Sequence, residues 1–104
     1  MINKAILLGK IVEREYRLTK DKIPILSITL ETRKKYSNHE GEEKEETTWH
    51  MVNFFDQVAI AGNHISSKED IAYIEGEIIN RKVNGKMVNS IKGNLIQIVK
   101  KDKE

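Results

Sequence analysis

The chain has 104 residues, a mass of 12.0 kDa, no cysteine and a formal net charge of +2. That size suits one domain over residues 1–104 with one core, and the missing cysteines remove disulfide frameworks and thiolate metal sites and fit a reducing cytosol. Its apolar runs are too short to cross a bilayer, and Met1-Ile2-Asn3-Lys4 lacks the charged start, apolar run and cleavage site of a secretory signal. Charge is unevenly spread: residues 1–35 carry a net +5, residues 36–70 a net −6 and residues 71–104 a net +3. A basic surface built from the two ends of the chain would suit an anionic polymer, and a solvated mixed-charge surface is the plain alternative.

Ala5 to Val12 reads as a strand with apolar side chains on both faces, so it should pack on the core and on something else, such as a second subunit. Ile25 to Thr32 alternates cleanly, with Leu26, Ile28 and Leu30 on one side and Ser27, Thr29 and Glu31 on the other. Pro24 stands at its start, where a missing N–H is tolerated. Lys34 to Thr47 is polar and acidic around Gly41 and reads as a long loop or a mobile hairpin tip.

Trp49-His50-Met51-Val52-Asn53-Phe54-Phe55 follows as one strand. Side chains alternate along it, so Trp49, Met51, Asn53 and Phe55 share one face and His50, Val52 and Phe54 the other. At a strand's rise, Trp49 and Phe55 stand roughly 20 Å apart on one side. Two rings so spaced could be stacking platforms for an extended single strand of nucleic acid, or both could be core. Asp56 can cap a short helix whose buried stripe would be Val58, Ala61 and Ile65. Ile71 to Ile79 is another strand. Asn84-Gly85 is a two-residue hairpin signal, because both turn positions need positive φ. Val88 to Val99 returns as the last strand, interrupted near Gly93, and Lys100 to Glu104 should fray.

Three strands, one helix and two strands is the chain order of an OB-fold, an all-β five-stranded barrel with one short helix between strands three and four. Such barrels bind oligonucleotides on the face of strands two and three and with their loops. Trp49 and Phe55 would then lie on the binding face, which favours the stacking reading over the core reading.

The sequence resembles the bacterial single-stranded DNA-binding proteins (SSB). The matching stretches are Asn3-Lys4-Ala5-Ile6-Leu7-Leu8-Gly9, Leu30-Glu31-Thr32-Arg33-Lys34-Lys35-Tyr36, Glu46-Thr47-Thr48-Trp49-His50, Tyr73-Ile74-Glu75-Gly76 and Arg81-Lys82. They occur in family order and at family spacing over nearly the whole chain. The resemblance implies an OB-fold, usually a homotetramer, that coats single-stranded DNA without sequence preference in the cytoplasm, on the nucleoid. It also implies replication and repair proteins as partners, and a role in replication, recombination and repair. It implies base stacking at Tyr36, Trp49 and Phe55, with Val83 at the fourth, usually aromatic, position. It implies phosphate contacts at Lys4, Arg33, Lys34, Arg81 and Lys82, and subunit packing at His50 and Leu7.

The departures are specific. The stretch Lys10-Ile11-Val12-Glu13-Arg14-Glu15 lacks the family's Gly and Asp-Pro turn. Met51 and Gln57 stand at two usually basic positions. The Asn84-Gly85 turn is short, and Lys100-Lys101-Asp102-Lys103-Glu104 does not match the acidic, Phe-terminated tip with which the family recruits partners. The acidic run Glu40 to Glu46 reads as a solvated loop tip, or as a phosphate mimic competing for the basic groove. A second reading of the chain is a primosomal replication protein of the PriB type, a tail-free OB-fold dimer bridging single-stranded DNA and helicase-loading partners. An enzyme is not indicated. His39, His50 and His64 lack metal-ligand spacing, the glycines form no phosphate loop, and Ser66-Ser67 read as helix-end serines. No cofactor, metal, membrane or small-molecule substrate is expected.

Overall fold

A computed structural model describes residues 1–102; Lys103 and Glu104, the end of the stretch expected to fray, lie outside the described residues. The elements are β1 (Ala5–Leu18), β2 (Pro24–Ser37), β3 (Glu43–Phe55), α1 (Asp56–Ile65), β4 (Ile71–Val83) and β5 (Lys86–Lys100). The strands close into a barrel in the order β1-β2-β3-β5-β4, with β4 paired back on β1. This is the five-stranded OB barrel expected from the chain order, with α1 between β3 and β4.

The alternation in β2 and β3 builds the core. Leu26, Ile28 and Leu30 meet Val52, Phe54, Ile11, Ala72 and Ile74, all fully buried. Each large apolar side chain so placed contributes about 1.5–3 kcal/mol relative to exposure. Phe54 lies flat against Gly93, where an added Cβ would stand 2.2 Å from its ring. Only a residue without a side chain lets β5 cross there. The interruption expected near Gly93 is a register shift between β4 and β5, from Glu75↔Leu95 to Gly76↔Gly93. Closure is narrow on the other side of β5, where only Val52↔Ile91 and Asn53↔Lys92 join it to β3, in parallel.

Four expectations change. Lys34 to Thr47 is mostly paired: β2 and β3 continue past the barrel as a two-stranded arm in register from Arg33↔Thr47 to Ser37↔Glu43. Its turn is held by Asn38, whose side-chain oxygen accepts the N–H groups of Glu40 and Glu42 (both 2.9 Å). Asp56 does not cap α1. β3 runs into the helix with no connecting residue, so Phe55 takes the cap position with no side-chain hydrogen bond, and Asp56 itself turns the corner at φ 56°, a conformation Asp tolerates better than most residues. The buried helix face is Ala59 and Gly62, not Val58-Ala61-Ile65. A Cβ on Gly62 would come within 2.9 Å of Leu26, so small residues let α1 seat close on the barrel. Val58 packs at the edge of that face, while Ala61 and Ile65 are exposed.

Residues 100–102 are held rather than frayed. Asp70 is fully buried between α1 and β4. Its carboxylate accepts hydrogen bonds from Lys101 Nζ (2.8 Å) and from the backbone N–H groups of Asp102 and Ser67 (both 2.9 Å). Where the family's Gly and Asp-Pro turn is missing, β1 continues through a bulge at Val12 and on to Leu18. Its first half pairs with β4 and its second with β2. The Asn84-Gly85 hairpin forms as expected, at φ 52° and 80°, and joins β4 and β5 in a second arm. The two arms stretch the molecule to 55 × 42 × 28 Å, with a radius of gyration of 15.5 Å, against about 13 Å for a compact chain of this length.

Candidate nucleic-acid interface

Trp49 and Met51 stand on the outer face of β3, 62% and 52% exposed, while Val52 and Phe54 are fully buried. The indole is therefore a surface group, and the core reading is excluded for it. Phe55 is half-buried on the same face of β3. It lines a cleft of about 650 Å³ with Ile23, Glu77, Ile79 and Lys92. A second cleft of about 250 Å³ lies on the other side of the β3–β5 seam, lined by Trp49, His50, Met51, Ile78 and Asn89. The pairs Val52↔Ile91 and Asn53↔Lys92 lie between the two clefts, the Trp49 cleft on the side where β3 and β5 leave their arms and the Phe55 cleft on the side of α1.

The register decides which other residues share the Trp49 face. Tyr36 pairs with Lys44, and Lys34 with Glu46. Both belong to the ribbon face that carries His50, opposite the face of Trp49. The structure thus brings Trp49 and Phe55 onto one face and sets Tyr36, 44% exposed, on the other side of the arm. Arg33 lies on the Trp49 face. In the second arm, Lys82 shares its face with Ile78, which lines the Trp49 cleft, and Arg81 shares its face with Ile79, which lines the Phe55 cleft. Val83, at the fourth aromatic position, is exposed near that arm's tip. Lys4 sits beside Glu75 (3.6 Å) on the outer side of β4.

Several residues at the site have roles that no motif assigned. Glu31 is the direct cross-strand partner of Trp49. One of its carboxylate oxygens accepts the indole N–H (3.2 Å) and the other accepts Arg33 Nε–H (2.8 Å). Lys10, paired to Glu31 from β1, lines a pocket with Glu31 and Arg33. A hydrogen bond and the charge of Glu69 hold its ammonium above the ordinary lysine range, so it stays cationic. Asn3 supplies a side-chain strand partner for Ile78, donating to its carbonyl (2.8 Å) and accepting its N–H (3.0 Å), which fixes one wall of the Trp49 cleft. None of these was legible from residue type, because each depends on register.

The two residues expected at a subunit interface separate. His50 is half-buried, with Nε2 2.9 Å from Thr32 Oγ1, at the edge of the Trp49 cleft. Leu7 faces inward against the core. Its neighbours Ile6 and Leu8 face out, each 57% exposed.

A five-stranded OB barrel with an exposed ring on strand three, a second ring along the same face and a basic β4–β5 arm is a barrel of the oligonucleotide-binding class. The comparisons narrow the class. The model of the single-strand binding protein family matches residues 2–100, and the chain belongs to that family. It is 30% identical over 87 residues to a single-stranded DNA-binding protein of Neisseria meningitidis, and 33% identical over 86 residues to one of Xanthomonas campestris. The alignments cover 82% and 81% of this chain and 49% of each relative. The chain thus spans about half the length of the curated relatives it matches. Among solved structures, it superimposes on a deletion variant of the single-stranded DNA-binding protein of Thermus aquaticus with a TM-score of 0.84 at 20% identity, over 95% of this chain and 51% of that one. It superimposes on a Plasmodium falciparum SSB in complex with single-stranded DNA with a TM-score of 0.82 at 21% identity, over 98% and 96%. These matches do not favour the primosomal reading.

Proposed function

We propose that this chain binds single-stranded DNA without regard to sequence, in the service of replication, recombination and repair. The exposed indole of Trp49, on the same face as Phe55 and beside Arg33, carries the reading. Stacking accepts any base, and Lys and Arg side chains neutralise phosphates and release condensed counterions. Arg33 supplies charge on the Trp49 face, and Lys82 and Arg81 supply it on the two faces of the β4–β5 arm. Lys34 and Tyr36, on the reverse of the β2–β3 arm, serve a strand that wraps the arm rather than one confined to the Trp49 face. With Val83 in place of an aromatic, the second arm contributes charge more than stacking. No residue acts as an acid, base or nucleophile in this reading. The direct test is a gel-shift series with unlabelled competitors: excess single-stranded DNA of any sequence should displace a labelled oligo-dT probe, and duplex should not. Displacement by duplex as readily as by single strand would overturn the proposal.

The chain also acts as a homo-oligomer in this reading. Ile6 and Leu8 on β1 and Leu95 on β5 form an exposed apolar strip across the outer side of β1, β4 and β5. Tyr73 and Glu75 run through it, the tyrosine hydroxyl donating to a carboxylate that this bond holds below its ordinary pKa. In this reading a second copy covers that strip, giving a homodimer as the unit of a tetramer.

A further inference from the structure

We propose that Glu31 is a positioning residue that fixes Trp49 and Arg33 as one unit, set to take the base of a nucleotide on the indole and a neighbouring phosphate on the guanidinium. The inference rests on the single-stranded DNA reading above and adds a role that motif and composition do not assign.

A carboxylate on a phosphate-binding surface repels the ligand, so its presence beside the most exposed aromatic of the site calls for an offset. The geometry supplies one. Glu31 and Trp49 are paired residues on β2 and β3, and the Glu31 side chain is only 13% exposed although its neighbours stand out in solvent. Each carboxylate oxygen has one donor: Oε2 takes the indole N–H at 3.2 Å and Oε1 takes Arg33 Nε–H at 2.8 Å. A ring anchored through Nε1 to its own cross-strand neighbour cannot turn freely about its side-chain torsions, so its face is set before a base arrives. Ordering that would otherwise be lost on binding is then already in place.

Arg33 gains in the same way. Its Nε is engaged, while its side chain remains 58% exposed, which leaves the terminal N–H groups turned to solvent. Those groups form the fork that matches a phosphate. Lys10, across from Glu31 on β1, adds a second cation on the far side of the carboxylate. Glu31 therefore lies among cations, and its negative charge is spent on holding two ligand-facing groups at a fixed separation.

The sole tryptophan makes the role measurable in the free protein and in the complex. Glu31→Ala removes both acceptors. Glu31→Gln keeps one carbonyl oxygen and turns an NH2 donor toward either the indole or Arg33, which now bond to different oxygens, so one of the two present contacts is lost. For Glu31→Ala, time-resolved anisotropy of Trp49 should show faster ring motion in the free domain. Affinity for oligo-dT should fall about tenfold, although a repulsive charge has gone. Glu31→Gln should fall between Glu31→Ala and the parent, and Arg33→Ala should cost less affinity in the Glu31→Ala background than alone. Unchanged ring motion with tighter binding, as removal of a lone repulsive charge predicts, would overturn the role. Should Glu31→Ala fail to fold, the same two readouts on Glu31→Gln decide. A parent chain that did not bind oligo-dT would instead sink the DNA-binding reading, and the anisotropy of the free domain would still report whether Glu31 holds the ring.

Discussion

Trp49 shows what a period of two can tell. The alternation of Trp49-Met51-Asn53-Phe55 with His50-Val52-Phe54 was legible because a strand assigns faces by parity alone, and burial then follows it, with Val52 and Phe54 enclosed and Trp49 open. Trp49→Ala should therefore weaken oligo-dT binding by about 1–3 kcal/mol and leave the thermal midpoint nearly unchanged. A binding isotherm and a melting curve on the same sample check both halves. What parity could not tell is which cross-strand neighbour a side chain meets. The Glu31 anchor for Trp49 needs the β2–β3 register, and the sequence showed only a charged residue on the solvent side of a strand. Leu7 illustrates the same limit: it belongs to the motif, yet the outward apolar pair is Ile6 and Leu8.

Asp70 was invisible as a lone acidic residue after a helix. Burial pushes its carboxyl pKa up, but hydrogen bonds from Lys101, Asp102 and Ser67, with the charge of Lys101, together bring it below the ordinary aspartate range. The folded state thus binds this proton less readily than the unfolded chain does. The resulting stability is complete above the unfolded pKa of about 4 and is lost as pH falls below it, through the lower folded value. Asp70→Asn should remove about 2 kcal/mol at neutral pH, because one of the two acceptor oxygens becomes an N–H donor facing a buried N–H and Lys101 loses its counter-charge, and should flatten the acid limb of stability against pH. Urea titrations of both proteins between pH 2 and pH 7 would show it. Parallel acid limbs would contradict this account of Asp70.

At the scale of elements, the barrel strands and the hairpin of the β4–β5 arm were legible, and the pairing along the β2–β3 arm was not. Leu26, Ile28 and Leu30 face a core and so advertise their strand. Lys34 to Thr47 has solvent on both faces of its ribbon, so no apolar alternation marks it, and it read as a long loop or a mobile hairpin tip without a register. The helix was legible by place but not by phase, because Gly62 and Ala59 are chosen for close approach rather than for hydrophobicity. The register of the β2–β3 arm also gives the acidic run a position. Glu46 faces Lys34 and Glu45 faces Lys35 across the ribbon, so each arm lysine opposite these two has a carboxylate within reach of its field. Replacing Glu45 and Glu46 together by Gln should tighten oligo-dT binding two- to threefold at low salt, roughly the strength of exposed ion pairs. The gain should fade as salt screens it. Equal affinities at low salt would mean that the acids are solvated bystanders.

For the whole molecule, chain order was enough to infer the barrel, since three strands, a helix and two strands have few ways to close. The way its ends are held was not legible. Asn3 clips the start of the chain to Ile78, and Asp70 clips residues 101–102 to the end of α1, both through single polar side chains. Nor does chain order say what lies against the strip of Ile6, Leu8 and Leu95. If a second copy covers it, Leu8→Asp should lower the mass measured by sedimentation equilibrium while the circular dichroism of the barrel persists. An unchanged mass would move the subunit contact elsewhere.

The central claim is that the Trp49 face takes up single-stranded DNA, and the most direct measurement is intrinsic fluorescence during titration with oligo-dT at low and then high salt. Trp49 is the only tryptophan, so the signal has one source. The account predicts saturable quenching at low salt that reverses as salt is raised. Binding with no change in Trp49 emission would place the DNA elsewhere on the barrel and contradict the account.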